Sequence, residues 1–313
     1  MSLAKIYIFA KKNKYINKLS DIKLLKQPED TIVYKAGDNV FKCESKIFLN
    51  LYLNIKKLYN RNNSYIRNYK LGIEPNIFYY KFVPGSSLEN YFFKKYKPNK
   101  KIIIDNIIRF IKYNIKIKES EFCNISFSSF KKYPPLWQRY SADNSNYCSL
   151  LGYDKSIVVS NGIYFKLTKK EQKLVYDLRK IYNICIVKQK KTKNKIIVFN
   201  DLNAHNIIID AKYNINQIDL TDGFKFGNFN LYIYRYFALL WIFGEKAVDK
   251  AINDCDLSEC EIFVKELSFL YFHNYFLEKL KTDKIERYFF NIKCNNYCKK
   301  IILSLTKKYP EFI

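Results

Sequence analysis

Residues 196–223 read IIVFNDLNAHNIIIDAKYNINQIDLTDG. Ile196 to Phe199 is an apolar run of strand length, and Asn200 to Asn206 is a polar loop. Ile207 to Asp210 and Gln217 to Leu220 are predicted as two further short strands about the turn Ala211 to Asn216. A hairpin of that length folds Asp219 back beside Asn206, and the loop puts Asp201 at the same mouth.

Two carboxylates and an amide at one mouth fit phosphoryl transfer. The β- and γ-phosphates of a nucleotide need a divalent metal held by oxygen ligands. One carboxylate and one amide oxygen suffice, because magnesium keeps waters and takes phosphate oxygens as its other ligands. A second carboxylate must orient the acceptor hydroxyl and receive its proton. On this reading Asp219 and Asn206 are the metal ligands and Asp201 is the base. Any one of them alone is an ordinary loop residue; it is the spacing of the set that carries the chemistry.

Outward from this segment the chain divides into a strand-rich beginning and a helical remainder. Lys5 to Ala10, Ile22 to Leu25, Thr31 to Lys35 and Val40 to Cys43 read as strands, with Ala36-Gly37-Asp38-Asn39 as a hairpin turn. Ser45 to Tyr59 has apolar residues at helical spacing, and Ile77 to Val83 is a strand. After the turn Pro84-Gly85, Ser86 with Glu89 three residues on predicts a capped helix start. Further helices are predicted over Ile102 to Lys118, Thr168 to Asn183, Tyr232 to Asn253, Glu259 to Lys281 and Lys284 to Tyr309. A Ser-, Asn-, Pro- and Tyr-rich stretch at about 120–160 reads as an insertion or substrate loop, in which Trp137, Tyr140 and Tyr147 could stack on a sugar or cage an amine. The expected class is α+β. A nucleotide-binding lobe over 1–83 precedes a larger, mainly helical catalytic lobe over 84–313.

The segment FNDLNAHNIII resembles the aspartate, four residues, asparagine pattern of the kinase-like small-molecule phosphotransferases, and IDLTDG resembles their metal-binding aspartate segment. These are the aminoglycoside phosphotransferases, the choline and ethanolamine kinases and the lipopolysaccharide core kinases. FYYKFVPGSSLENYF, from Phe78 to Phe92, resembles the hinge between their lobes and the helix after it. VFKCES puts Lys42 where the family's third-strand lysine holds the α- and β-phosphates, with Glu44 as the nearby candidate for its partner. The resemblance implies a two-lobed protein-kinase-like fold, ATP and Mg2+ as cofactors, and a nucleotide site built from Lys42, Glu44, Phe82 at the hinge and Asn206. Asn203 stands where protein serine/threonine kinases carry a lysine, which favours a small-molecule acceptor. The pattern departs at three places. Phe199 replaces a common histidine, no glycine-rich loop precedes Thr31, and Tyr232 stands near the position of the aspartate that braces the family's catalytic loop.

Composition narrows the acceptor. The chain has 313 residues, 48% of them hydrophobic, enough for a packed two-lobed globule. Its net charge is +26, mostly from lysine. Abundant lysine, asparagine, isoleucine and tyrosine is also what AT-rich coding produces. Read functionally, the field repels cationic acceptors and favours neutral or anionic ones, a surface-glycan sugar foremost, and suits a peripheral contact with anionic membrane lipid. Scarce arginine argues against specific nucleic-acid recognition. The eight cysteines read as reduced and mostly buried; Cys255, Cys260, Cys294 and Cys298 are too loosely spaced for a usual four-thiolate zinc site. No signal peptide or membrane-spanning stretch is read, so the expectation is a cytoplasmic protein. Two alternatives keep their own predictions. A pseudokinase of the same fold would bind without turnover, and a lysine-rich nucleic-acid binder would show steep salt dependence.

Overall fold

The computed structural model describes residues 3–26, 31–44, 49–61, 65, 70–71, 77–93, 99–122, 157–160, 163–166, 193–199, 202–220, 224–257 and 263–279, with 300, 303 and 307. Helix α1 (Leu3–Lys12) comes first, followed by strands β1 (Ile22–Lys26), β2 (Thr31–Ala36) and β3 (Asn39–Glu44). Helix α2 (Leu49–Arg61), then β4 (Lys70–Leu71) and β5 (Ile77–Lys81), complete a five-stranded antiparallel sheet of order β1-β2-β3-β5-β4. Gly37 makes the two-residue β2–β3 turn, with φ +57, a conformation only glycine adopts without strain.

The pleat divides this sheet between two cores. Phe41 and Ile77 face one way and pack with Ile6 and Ala10 of α1, and with Ile16 and Ala36. Val40, Phe78 and Tyr80 face the other way and join Ile55 and Leu58 of α2 in the large core. The predicted strand over Lys5 to Ala10 is therefore a helix. Its apolar run is too short to set a period, and burial of Ile6 and Ala10, one turn apart, decides for the helix.

Strand β6 (Gly85–Ser87) and helix α3 (Leu88–Phe93) carry the chain onward. The helix cap is Ser87 and not the predicted Ser86, because the helix begins at Leu88; Ser87 Oγ accepts from the Asn90 amide at 3.3 Å. Helix α4 (Lys100–Ile115) buries Ile103, Ile107, Phe110 and Ile111. A hairpin of β7 (Ile157–Ser160) and β8 (Ile163–Lys166) follows. Trp137, Tyr140, Tyr147 and the predicted helices over Thr168 to Asn183 and Lys284 to Tyr309 lie wholly or almost wholly outside the described residues.

The segment that opened the reading forms β9 (Lys195–Phe199), β10 (Ile207–Asp210) and β11 (Ile215–Gln217). Strand β10 lies between β11 and β6, and β9 pairs with β12 (Phe224–Asn228). The second hairpin strand is thus Ile215–Gln217, not Gln217 to Leu220. The Asp210 carboxylate tightens the turn by accepting from the amides of Lys212 (2.8 Å) and Asn214 (2.9 Å). The helix predicted over Tyr232 to Asn253 is broken into α5 (Phe229–Tyr232), α6 (Tyr234–Ala238), a 3-10 turn at Trp241–Phe243 and α7 (Glu245–Asp254). Gly244, at φ +94, makes the last break. Helix α8 (Val264–Lys279) packs against α6 and fixes Trp241, whose Nε1 donates to Ser268 Oγ at 2.8 Å.

Candidate active site

Lys42 enters the site from the middle of β3. Its place in the pleat sends it to the same side as Phe78 and Tyr80 on β5, into the large core. The residue is only 6% exposed. A lysine so buried needs an anionic partner, and its Nζ donates to Asp219 Oδ1. The β3 lysine and the metal-segment aspartate, far apart in the chain, therefore meet. Glu44, the partner expected for Lys42, closes β3 opposite Thr31.

Asp219 follows β11 rather than lying within it. Its backbone is left-handed, with φ +60, a conformation that aspartate tolerates better than most residues. Such strain is found where surrounding structure demands it. Here the preceding residue supplies the demand, because the Ile218 amide donates to the Asn206 carbonyl at 2.8 Å. That bond extends the β10–β11 ladder by one step and carries Asp219 to the end of the 3-10 turn Ala204–Asn206. Asn206 is 3% exposed, and its own amide is held by the Asn203 carbonyl at 3.0 Å.

Tyr80 is buried on the same face of the sheet as Lys42 and was not singled out from sequence. Burial pushes its hydroxyl pKa well up, the Asp219 charge adds to this, and Lys42 opposes it, so the phenol stays neutral at ordinary pH. The alternation of β5 was the available signal, since it places Tyr80 on the face of Lys42. Phe82 follows β5 at the crossing to the second lobe. Its amide donates to the Asp38 carbonyl at 2.7 Å and its ring carries Lys35 Nζ at 3.9 Å from the centroid. Asp201 lies outside the described residues; Phe199 and Leu202, on either side of it, are both buried. Among the described residues no group of three or more His, Cys, Asp or Glu side chains gathers as a metal cluster. Asn206 and Asp219, brought near each other by the Ile218–Asn206 backbone bond, are one amide and one carboxylate residue, donor types that could hold an oxygen-seeking ion taking further ligands from phosphate and water. Cys255 is a partly buried free thiol whose pKa burial pushes up to about 11, the opposite of a metal-binding thiolate.

Comparison with solved structures places this arrangement. The chain superposes on an ADP-bound aminoglycoside phosphotransferase APH(2'')-Ib with a TM-score of 0.52 and 17% identity, over 93% of this chain and 96% of that one. The GDP complex of an aminoglycoside 2'-phosphotransferase-IIIa gives 0.54 and 13%, over 96% and 98%. A macrolide 2'-phosphotransferase type I gives 0.52 and 10%, over 93% and 96%. The chain shares the fold of these aminoglycoside and macrolide phosphotransferases. No family model and no curated protein matches the chain by sequence. The phosphotransferase fold accounts for the two-lobed α+β architecture, with the small antiparallel sheet before the hinge and the helices after it. No helix among the described residues is long and apolar enough to cross a membrane.

Proposed function

We propose that the chain is a small-molecule kinase that moves the γ-phosphate of ATP to an acceptor hydroxyl. The observation that carries this reading is the meeting of Lys42 and Asp219 beside Asn206 in a phosphotransferase fold. A bound ATP with its magnesium ion supplies the transferable phosphoryl group and neutralises the charge that develops on it. Asp219 and Asn206 would hold the metal. Lys42 would leave Asp219 for the α- and β-phosphates, where an ammonium as buried as this one acts more strongly than in water. Glu44 and Phe82 belong to the nucleotide side in this proposal, and the lobes divide near residue 83. Asp201 would orient the acceptor hydroxyl and take its proton as that oxygen bonds to the γ-phosphorus, while the bond from the γ-phosphorus to the bridging oxygen of the β-phosphate breaks and ADP leaves.

The lysine excess supports a neutral or anionic acceptor, a surface-glycan sugar before an aminoglycoside or choline, and a protein that works in the cytoplasm or against anionic lipid. The second reading is a nucleotide-binding protein without turnover. It draws on Tyr232, which stands near the bracing position and accepts from Lys225 Nζ at 3.2 Å.

The test is ADP release from MgATP across a panel of sugars, amino alcohols and aminoglycosides. Asp201→Asn and Asp219→Asn should each lower turnover by at least about a hundredfold with the circular-dichroism spectrum retained. Turnover that survives either substitution refutes the assignment, and MgATP binding with no turnover across the panel favours the second reading.

A further inference from the structure

The catalytic loop of this chain lacks an aspartate near position 232, yet the loop is tied down. Tyr271, on α8, donates its hydroxyl to Asn203 Oδ1 at 3.2 Å. Arg235, on α6, donates through Nη2 to that same hydroxyl at 2.9 Å, and its guanidinium lies 5.2 Å from the centre of the Tyr271 ring. The Asn203 carbonyl in turn receives the Asn206 amide at 3.0 Å, and the Asn206 carbonyl receives the Ile218 amide at 2.8 Å. One continuous chain of hydrogen bonds thus runs from two helices of the large lobe to the backbone beside Asp219.

We infer that Arg235 and Tyr271 are positioning residues that set the Asn203–Asn206 loop for metal binding and transfer. The inference rests on the proposed kinase reading. Its physical basis is directional. A tyrosine hydroxyl has one proton to give. Arg235 has no lone pair to offer, so it can only donate to that oxygen. The hydroxyl proton is thereby committed to Asn203, and the Asn203 amide is held with its oxygen toward α8. Helices α6 and α8 pack against each other, and Tyr234 packs edge-on against Tyr271 at 5.9 Å, so the donors are seated on a rigid support. Tyr232, meanwhile, is engaged with Lys225. The loop is therefore held by a phenol and a guanidinium from α8 and α6, a solution that tertiary packing alone reveals.

The experiment uses full-length protein and two readouts. Affinity for ATP is measured by calorimetry with and without Mg2+, and ADP release from MgATP is followed in the same preparations. In Tyr271→Phe, which keeps the ring, the tightening of ATP binding by Mg2+ and kcat should both fall about tenfold or more, as for other groups that orient ligands indirectly. Metal-free ATP binding should stay within twofold of wild type. Arg235→Lys, which keeps a donor, should retain more of both quantities than Arg235→Met. If wild type shows the metal effect and Tyr271→Phe keeps all of it, with only a lower melting temperature, the residues are merely structural and the inference is overturned. If wild type itself binds ATP no better with Mg2+, the kinase reading fails, and the positioning role fails with it.

Discussion

Replacing Lys42 by methionine removes the ionic link between β3 and Asp219, and its cost can be worked from the structure. The Lys42 and Asp219 side chains are 7% and 23% exposed. For unit charges about 4 Å apart at an effective dielectric of about 20, attraction amounts to roughly 4 kcal/mol. Desolvation of both ions offsets much of this in the intact pair. Removing one partner is different, because the remaining carboxylate keeps its desolvation cost and loses its cation. The expected penalty for Lys42→Met is about 3 kcal/mol, and for a chain of this size that is a melting shift of roughly 6 °C. Asp219→Asn should cost a similar amount, while the double variant should cost clearly less than the two summed, since neither uncompensated charge then remains. Thermal unfolding of the four proteins closes the cycle. A double variant whose loss equals the sum of the singles would refute the pairing. The same proteins carry a functional readout, in that MgATP should raise the melting temperature of wild type and fail to do so in either single variant.

Two further outcomes are expected. The Asp210 carboxyl titrates below its ordinary value: burial opposes ionisation, but hydrogen bonds from Asn214 and Lys212 outweigh it. A depressed folded pKa stabilises the protein above the unfolded value and loses that contribution as pH falls through the folded one. Asp210→Asn should therefore cost about 1 kcal/mol at neutral pH, with wild type and variant converging below about pH 4 in thermal scans. A gap that persists in acid would refute the role given to the charge. At Gly85, an added Cβ would lie 2.3 Å from the Ile209 carbonyl oxygen and 2.9 Å from Ile208 Cγ2. Gly85→Ala should push β6 off β10 and destabilise by about 2 kcal/mol, measured by urea unfolding; an unchanged midpoint would show that the strand gives way freely.

The parts legible from sequence were those set by local chemistry. The β2–β3 hairpin announced itself through Gly37, and the β9–β11 segment through apolar runs interrupted by turn residues. The nearness of Asn206 to Asp219 followed from hairpin length alone, and the Ile218–Asn206 hydrogen bond carries it, although the second strand is Ile215–Gln217 and pairs Gln217 with Ile207. The misreadings share a cause. The α1 run was too short to distinguish a period of two from one of 3.6. Ser86 and Ser87 look alike as caps, and only the start of the helix at Leu88 selects Ser87. The long helix after Tyr232 was continuous in apolar pattern but interrupted by Gly244 in backbone.

By itself, then, the sequence determined the class of fold and nominated Asp201, Asn206 and Asp219 as one site, because spacing along a hairpin is a local property, while Lys42 was nominated by its resemblance to the third-strand lysine of the phosphotransferases. Only the tertiary structure decided that Lys42 pairs with Asp219, that Tyr80 is buried on the Lys42 face within reach of both charges, and that Tyr271 and Arg235 hold Asn203. Those contacts join residues from different elements, and no one-dimensional pattern records which buried donor will find which acceptor once two lobes close around a common core.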